Sequence, residues 1–285
     1  MISSNPAVLN FTVIMNALLI TAGLLAALVL IFLRLFKKGG RSIAIAPLPE
    51  NYRQLLKDHV QFYKKLDDAG KKQFEERVQH FLSGIRITGV DAAVEDIDRV
   101  LIGASAIIPI YAFPSWEYPN LNEVLLYPET FNEEFQQEGR DRSVLGMVGS
   151  GPMQHVMILS QHALRQGFSN MTDKNNTAIH EFVHLVDKTD GDTDGVPEIL
   201  LQHQYTLPWL DMMHKNIAAI MKNRSDINPY GATSQAEFFA VVSEYFFERP
   251  DLLRAKHPEL YDMLGRIFSS EKPENLFLFQ INIFT

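Results

Sequence analysis

The stretch His180-Glu181-Phe182-Val183-His184 has the residue types and the spacing of a metal site that could hydrolyse a bond. In a helix, residues four apart project from one face, so the imidazoles of His180 and His184 can converge on one ion. Glu181 is rotated by about 100° from His180, and its carboxylate would lie beside the metal, where it can take a proton from water. The pattern therefore predicts two zinc ligands and a catalytic base. A chance match and two satisfied core histidines are the alternatives.

A catalytic zinc site needs a third protein ligand and one open position. The extended pattern H-E-x-x-H-x-x-G-x-x-H fails, because Asp187 stands at the glycine and Asp190 at the third histidine. A later helical run offers Glu237 and Glu244, which are seven residues apart and so lie on nearly one face. Glu237 could instead complete a capping box that begins at Ser234, and Glu244 could be a surface acid.

Two further residues and one loop could assist the site. Asp187 is in helical phase with both histidines and could accept a hydrogen bond from a metal-bound imidazole, or cap the helix end. Tyr230, in a Pro-Tyr-Gly turn seven residues before Glu237, could donate its phenol to an oxyanion, or serve only in packing. The loop 190–195 imitates the start of a calcium-binding loop. Its twelfth position is Leu201 instead of glutamate, which favours a solvated acidic turn.

The pattern of helices and strands around these residues indicates an α+β domain. Apolar spacing over 50–82 predicts two amphipathic helices that break near Ala69-Gly70. Three short apolar runs predict strands, at 107–113, 122–127 and 155–160. Helices return from about Asn175. Because the strand at 156–160 directly precedes the His180 helix, we expect it to bind an extended substrate at the edge of the sheet.

Local signals also mark the ends of the two helices that carry the site. Asp173, Asn176 and Thr177 are the candidate caps at the start of the His180 helix. Gly191 is suited to end that helix, and Pro250 stops the later one.

The N-terminal segment has the pattern of a membrane anchor. Residues 11–33 form an uncharged apolar run that would span about 34 Å as a helix. Basic residues follow the run instead of preceding it, unlike in a signal peptide: Arg34, Lys37, Lys38 and Arg41. We therefore predict a tail (1–10), a transmembrane helix (11–36), a linker (37–47) and a catalytic domain (48–285) on the cytoplasmic side.

Composition excludes several other classes of function. The chain has 34 acidic and 26 basic residues, a formal charge of -8, and no basic block interleaved with aromatic residues, so nucleic acid is not an expected partner. It has no cysteine, which excludes disulfides and thiolate ligands. A metal site must then be built from His, Asp and Glu.

Three runs resemble the Mlc titration factor A family of zinc metallopeptidases: IHEFVHLVDKTDGDTDGVP, YGATSQAEFFAVVSEYFFERPDLL and NEVLLYPETF. The resemblance covers approximately residues 50 to 265. It implies a zincin-type catalytic domain, with a small sheet, an active-site helix and a helical C-terminal half. It also implies His180, His184 and Glu237 as zinc ligands and Glu181 as catalytic base. Tyr230 matches a tyrosine that related zincin domains place seven residues before the ligand glutamate.

The sequence departs from the resemblance at two points. Val241 stands where many glutamate-ligand zinc peptidases have an aspartate, so Asp187, Glu244 or a carbonyl group must orient the histidines instead. The anchor is an addition, because the family is cytosolic.

We expect a zinc-dependent peptidase held in a membrane, by resemblance the bacterial inner membrane, through one span. Its partners would be a peptide or protein substrate and the lipid bilayer at residues 11–36. The alternative is a membrane-tethered regulatory protein that sequesters a partner such as a transcription factor.

Overall fold

Helices and a small sheet alternate in the first half of the chain, and helices alone follow. The computed structural model describes residues 48–132, 136–137, 144–149, 153–170, 173–197 and 200–269. The α-helices are α1 (Tyr52–His59), α2 (Gln61–Lys65), α3 (Asp68–Gly84), α4 (Asp96–Ile107), α5 (Gln161–Ser169), α6 (Thr177–Asp187), α7 (Thr206–Met221), α8 (Gln235–Glu248), α9 (Pro250–Lys256) and α10 (Pro258–Ile267). The strands are β1 (Arg86–Gly89), β2 (Glu123–Tyr127), β3 (Gly146–Val148) and β4 (Val156–Ser160). The predicted α+β class, with a small sheet and mostly helical content, is confirmed.

The four described strands form one sheet in the order β1-β2-β4-β3. β1, β2 and β4 are parallel, and β3 runs antiparallel to β4. Ile158 of β4 is paired with Leu125 on one side and Met147 on the other. The expected substrate-binding role of strand 156–160 at a sheet edge is therefore wrong, because neighbouring strands occupy both of its edges. In the described sheet the edge beside it is β3.

Two other boundaries differ from prediction. The run 107–113 is not a strand: Ile107 ends α4, and turns follow through Ala112. A short buried apolar run cannot be told from the end of a buried helix by periodicity. The break predicted near Ala69-Gly70 is present but lies slightly earlier, between Lys65 and Asp68, because Asp67 caps α3 and its Oδ1 accepts from the Gly70 N–H at 2.7 Å.

The core surrounds α6 and α8, which are buried along most of their length. On one side of α6, the Phe182 ring packs against Tyr118 at 5.1 Å and Phe81 at 5.6 Å between ring centroids. On the far side of α8, Phe239 packs against Trp209 at 5.8 Å. Burial of large apolar side chains on both helices fixes their relative position, and so the position of the polar groups between them.

The predicted tail, transmembrane helix (11–36) and linker lie outside the described residues, as do residues 270–285 of the predicted catalytic domain. Within the part of the chain that is described, no helix is both long enough and apolar enough to cross a membrane.

Candidate metal centre

Helix α6 begins at a side-chain cap that fixes the position of both histidines. Of the three predicted caps, Asn176 makes the bond: its Oδ1 accepts from the Ile179 N–H at 3.2 Å. A short 3₁₀ turn follows α6 and ends at Gly191, whose φ of 114° suits glycine. The motif therefore lies between a capped first turn and a 3₁₀ turn that ends at glycine.

His180, His184 and Glu237 come together between α6 and α8. The two Nε2 atoms are 3.0 Å apart, and Glu237 Oε2 lies 2.9 Å from His180 Nε2 and 3.5 Å from His184 Nε2. All three ligand atoms lie within 4.8 Å of one another, and this is the metal-ligand grouping found in the described residues. Two imidazole nitrogens and one carboxylate oxygen would be a suitable donor set for zinc, which takes three protein ligands of these types in catalytic sites.

Glu237 lies in a capped first turn, and its carboxylate also belongs to the candidate metal-ligand grouping. Ser234 caps α8, and its Oγ accepts from the Glu237 N–H at 3.1 Å. The Glu237 side chain, however, turns to the two histidines instead of back to the backbone of Ser234. The cap thus fixes the backbone from which the carboxylate reaches the site.

The charges at this point are strongly coupled. Burial opposes ionisation of Glu237, but hydrogen bonds with His180 and His184 hold its pKa well below the usual range. Burial likewise opposes protonation of His180, but the carboxylates of Glu244 and Glu237 raise its pKa well above the usual value. Without a metal, the His180 imidazole is therefore favoured in its protonated form. A metal ion must displace a proton from it, since a histidine ligand binds through a deprotonated nitrogen.

Glu181 faces the edge strand. Its side chain is buried, and no hydrogen-bond partner for its carboxylate is found among the described residues. Burial raises the pKa of Glu181, against the opposing charges of His180 and His184. A Cβ placed on Gly146 of β3 would stand 2.8 Å from Glu181 Cγ and 3.0 Å from its Oε1. The strand backbone therefore packs directly on the predicted base, and only glycine leaves room for it.

Tyr230 stands at the rim. It belongs to a 3₁₀ turn, Pro229–Ala232, in which Asn228 Oδ1 accepts from the Tyr230 N–H at 3.0 Å. Its ring centroid lies 6.0 Å from that of His180, and 52% of the residue is exposed. Burial, followed by the charges of Glu237 and Glu181, raises the pKa of Tyr230, so the phenol keeps its proton at neutral pH.

Glu244, whose role the sequence left open, is neither a ligand nor a surface acid. It is buried, its Oε1 accepts from His180 Nδ1 at 2.7 Å, and its Oε2 accepts from the Asn176 N–H at 2.6 Å. One turn further along α8, Glu248 Oε1 accepts from Asn176 Nδ2 at 3.0 Å. The spacing of seven residues from Glu237 was the sequence signal that placed Glu244 on this face.

Asp187 does not bond to either histidine. It is buried, its Oδ2 accepts from the Gly195 N–H at 2.8 Å, and its Oδ1 has no partner among the residues that the structure describes. Burial, above all, raises the pKa of Asp187 to about 7. Asp187 thus anchors the loop that leaves α6. The acidic residues of that loop do not group as metal ligands, which leaves the acidic-turn interpretation standing.

The same loop returns to the start of α8. Gly195 has a φ of 80°, and a Cβ on it would stand 2.4 Å from the carbonyl oxygen of Gln235. Its own carbonyl accepts from Trp209 Nε1 at 2.7 Å. The end of the α6 loop therefore lies in close backbone contact with the first turn of the helix that carries Glu237.

A mixed α+β domain that gathers two imidazoles and a carboxylate from two buried helices defines a metal-binding class of protein. The chain belongs to the glucose-regulated metallo-peptidase M90 family, whose model matches residues 35–269. It is 29% identical over 238 residues to an uncharacterized protein of Synechocystis sp., covering 79% of this chain and 86% of that one. It is 26% identical over 235 residues to Mlc titration factor A of Pectobacterium atrosepticum, covering 76% and 86%. The family that the sequence resembles is therefore confirmed, and the site roles that the resemblance implies stay predictions.

Proposed function

We propose that this protein is a zinc-dependent peptidase whose catalytic domain faces the cytoplasm from a membrane anchor at residues 11–36. The observation that carries the proposal is the convergence of His180, His184 and Glu237 within 4.8 Å, next to the buried carboxylate of Glu181. The family description supports a metallopeptidase. The choice of zinc rests on the two-imidazole, one-carboxylate donor set.

In this proposal each residue of the site has one task. Zinc, when bound by His180, His184 and Glu237, supplies a Lewis acid that polarises the peptide carbonyl and makes water more acidic. Glu181 takes the proton from the attacking water and passes it to the leaving amine. Burial raises the pKa of Glu181, and this is the direction that suits a carboxylate which must first take a proton and then release it.

Tyr230 and β3 would act on the substrate. The Tyr230 phenol, protonated and partly exposed beside His180, would donate to the oxyanion that forms on the carbonyl. β3 takes over the role that we expected of strand 156–160. Among the described strands it is the edge strand beside Glu181, so an extended peptide that paired with it would lie along the base.

The test is a comparison of the purified full chain with its Glu181→Gln variant. Wild type should hold about one zinc per chain and cleave members of a peptide library detected by mass spectrometry. Glu181→Gln should bind the same amount of zinc and lose cleavage by more than about 1,000-fold. Glu76→Gln, at an exposed glutamate of α3, is the matched control and should change neither. Equal cleavage by wild type and Glu181→Gln would contradict the proposal.

A second function is favoured by the names of the relatives. Several are called Mlc titration factor A, a name that describes binding of a regulator by those proteins. By analogy, this chain would sequester a regulatory protein at the membrane, with the metal site in a structural role. Stable capture of a partner by wild type and by Glu181→Gln alike, with no peptide turnover by either, would favour this function over hydrolysis.

The anchor has a separate test. Full chain expressed in bacterial cells should sediment with the inner membrane and resist alkaline extraction, as a spanning helix does. Recovery of the intact chain from the soluble fraction would contradict the anchor and leave the peptidase proposal standing.

A further inference from the structure

Glu244 accepts two hydrogen bonds. One comes from a residue of α6, and the other comes from the residue directly before that helix. Its Oε1 accepts from the ring nitrogen Nδ1 of His180, and its Oε2 accepts from the backbone N–H of Asn176. The residue is 5% exposed, and so is removed from water. A buried carboxylate is costly unless donors satisfy it, and here each oxygen has a donor.

These bonds determine which nitrogen of His180 can bind a metal. A carboxylate acceptor at Nδ1 holds the ring proton there, which leaves the lone pair of a neutral imidazole on Nε2. Nε2 is the nitrogen that faces the metal grouping, 3.0 Å from His184 Nε2 and 2.9 Å from Glu237 Oε2. The bond to Glu244 also fixes the plane of the ring, since it opposes rotation about the side-chain torsions.

Helix α8 therefore contacts both ring nitrogens of His180. Glu237 stands at Nε2 and Glu244 at Nδ1, and the two glutamates share a helix face seven residues apart. Any rotation of α8 that moved the ligand Glu237 would also move the carboxylate that orients His180. Ligand and orienting group are thus fixed by one rigid element.

We propose that Glu244 is a positioning residue, which selects the Nε2-ligating tautomer of His180 and holds its ring toward the metal. This inference rests on the metal-binding part of the proposed function and does not depend on peptide hydrolysis. Glu244 touches no reacting atom in this role and acts through His180.

Glutamine at position 244 should fail in this role for a definite reason. A carboxylate accepts at both oxygens, whereas an amide accepts at one oxygen and donates at its nitrogen. Both groups that face Glu244, the His180 Nδ1–H and the Asn176 N–H, are donors. In Glu244→Gln one of the two must therefore face an NH₂ group.

Glu248 supplies a matched control. It lies on the same helix one turn away, accepts from the side chain of the same Asn176, and makes no described bond to either histidine. Glu248→Gln keeps an oxygen that can accept from Asn176 Nδ2. It removes a carboxylate from the same network without changing what orients His180.

The first measurement is zinc affinity of the purified full chain, by competition with a chromophoric chelator. Glu244→Gln should raise the dissociation constant by about 10- to 100-fold, the usual cost of removing a group that orients a metal ligand. Glu248→Gln should stay within about 3-fold of wild type. Zinc should raise the thermal midpoint of Glu248→Gln as much as that of wild type, and that of Glu244→Gln distinctly less.

The second measurement uses wild type alone, so it holds even if Glu244→Gln does not fold. With ¹⁵N-labelled histidine, the zinc-loaded chain should show His180 protonated at Nδ1 and ligating through Nε2. Ligation through Nδ1 would overturn the proposal, as would an unchanged zinc affinity in a folded Glu244→Gln. Neither readout uses turnover. A chain that binds zinc without cleaving peptides would therefore contradict the proposed peptidase function and leave this inference intact.

Discussion

The candidate site has two walls that are built in different ways. One wall is the pair α6 and α8, whose polar groups are buried or half-buried and bonded to one another across the helix interface. The other is a rim made of the short edge strand β3 and the turn that carries Tyr230, which is 52% exposed. The helix wall can fix ligand positions because packing immobilises it, whereas the rim is open to a substrate. We therefore expect changes to the three candidate ligands and to the groups that orient them to alter metal binding, and rim changes to alter turnover alone.

The largest effect should come from the ligand on α8. Glu237→Ala removes one of the three proposed ligands and should weaken zinc binding by more than about 100-fold, since even groups that only orient ligands are worth about 10- to 100-fold. Hydrolysis should fall with occupancy. Ser234→Ala is the control on the same turn: it should cost about 1 kcal/mol of stability by removing the cap, and retain zinc. Unchanged zinc affinity in Glu237→Ala would place the ligand elsewhere.

At the rim, Tyr230→Phe removes a single hydroxyl. Loss of one oxyanion donor typically lowers kcat by about 100-fold, and we expect a decrease of that order with KM and zinc content unchanged. Steady-state kinetics on a peptide identified in the library, together with metal analysis, measure this. A loss of zinc in Tyr230→Phe would break the distinction between rim and helix wall, because the hydroxyl would then be supporting the ligands.

The contact between rim and helix wall is tested at Gly146. Gly146→Ala places a methyl group 2.8 Å from Glu181 Cγ, so the base or the strand must shift. We expect kcat to fall by roughly 10- to 50-fold, within what a displacement of up to about 1 Å can cost, and zinc affinity to stay the same. Gly84→Ala, where an added Cβ meets nothing within 4 Å, is the control. Full activity in Gly146→Ala would show that β3 does not constrain the base.

The smallest effect on zinc binding and turnover lies behind the helix wall, at Glu248, where we expect the change to act on stability instead. Burial, and then the charges of Glu244 and Asp173, raise the pKa of Glu248 to about 7, while its bond from Asn176 acts in the opposite direction. A raised carboxyl pKa means that the folded chain holds more protons than the unfolded one between about pH 4.5 and 7. Its contribution to stability is therefore present below about pH 4.5 and is lost as pH rises through 7.

Glu248→Gln should be more stable than wild type at about pH 8, by up to roughly 3 kcal/mol, and equally stable near about pH 4. Denaturant unfolding of the metal-free chain at the two pH values measures the difference. Because the substituted amide can still accept from Asn176, a uniform loss of stability at both pH values would show that the bond, and not the charge, dominates at this position.

Sequence reasoning located the helix wall well because its signals are local. The spacing of His180 and His184, with Glu181 between them, needs only one turn of helix to be read. The seven-residue interval from Glu237 to Glu244 placed both glutamates on one face. It could not tell which glutamate joins the metal-ligand grouping and which contacts His180 Nδ1, because that depends on which ring nitrogen each carboxylate meets across the interface.

The rim and the sheet were harder to predict. β3 is three residues long and contains Gly146, so it has neither the alternation nor the β-propensity that marks a strand. Its antiparallel pairing with β4 is a long-range contact that no local pattern contains. The apolar run at 107–113 was misread for a related reason: a short buried segment has the same composition whether it ends a helix or forms a strand.

The contact between Gly195 and Gln235 makes the chain between them an excursion whose ends touch. Insertions at an exposed position within 196–234 would cost little closure entropy, which grows only slowly with loop length, and would leave the distance between α6 and α8 unchanged. The interval between the histidine motif and its glutamate is thus free to vary. A search for relatives should therefore specify two short motifs and leave the distance between them open. The first is HExxH followed by Asp three residues after the second histidine, and the second is the S-x-x-E that begins the second helix.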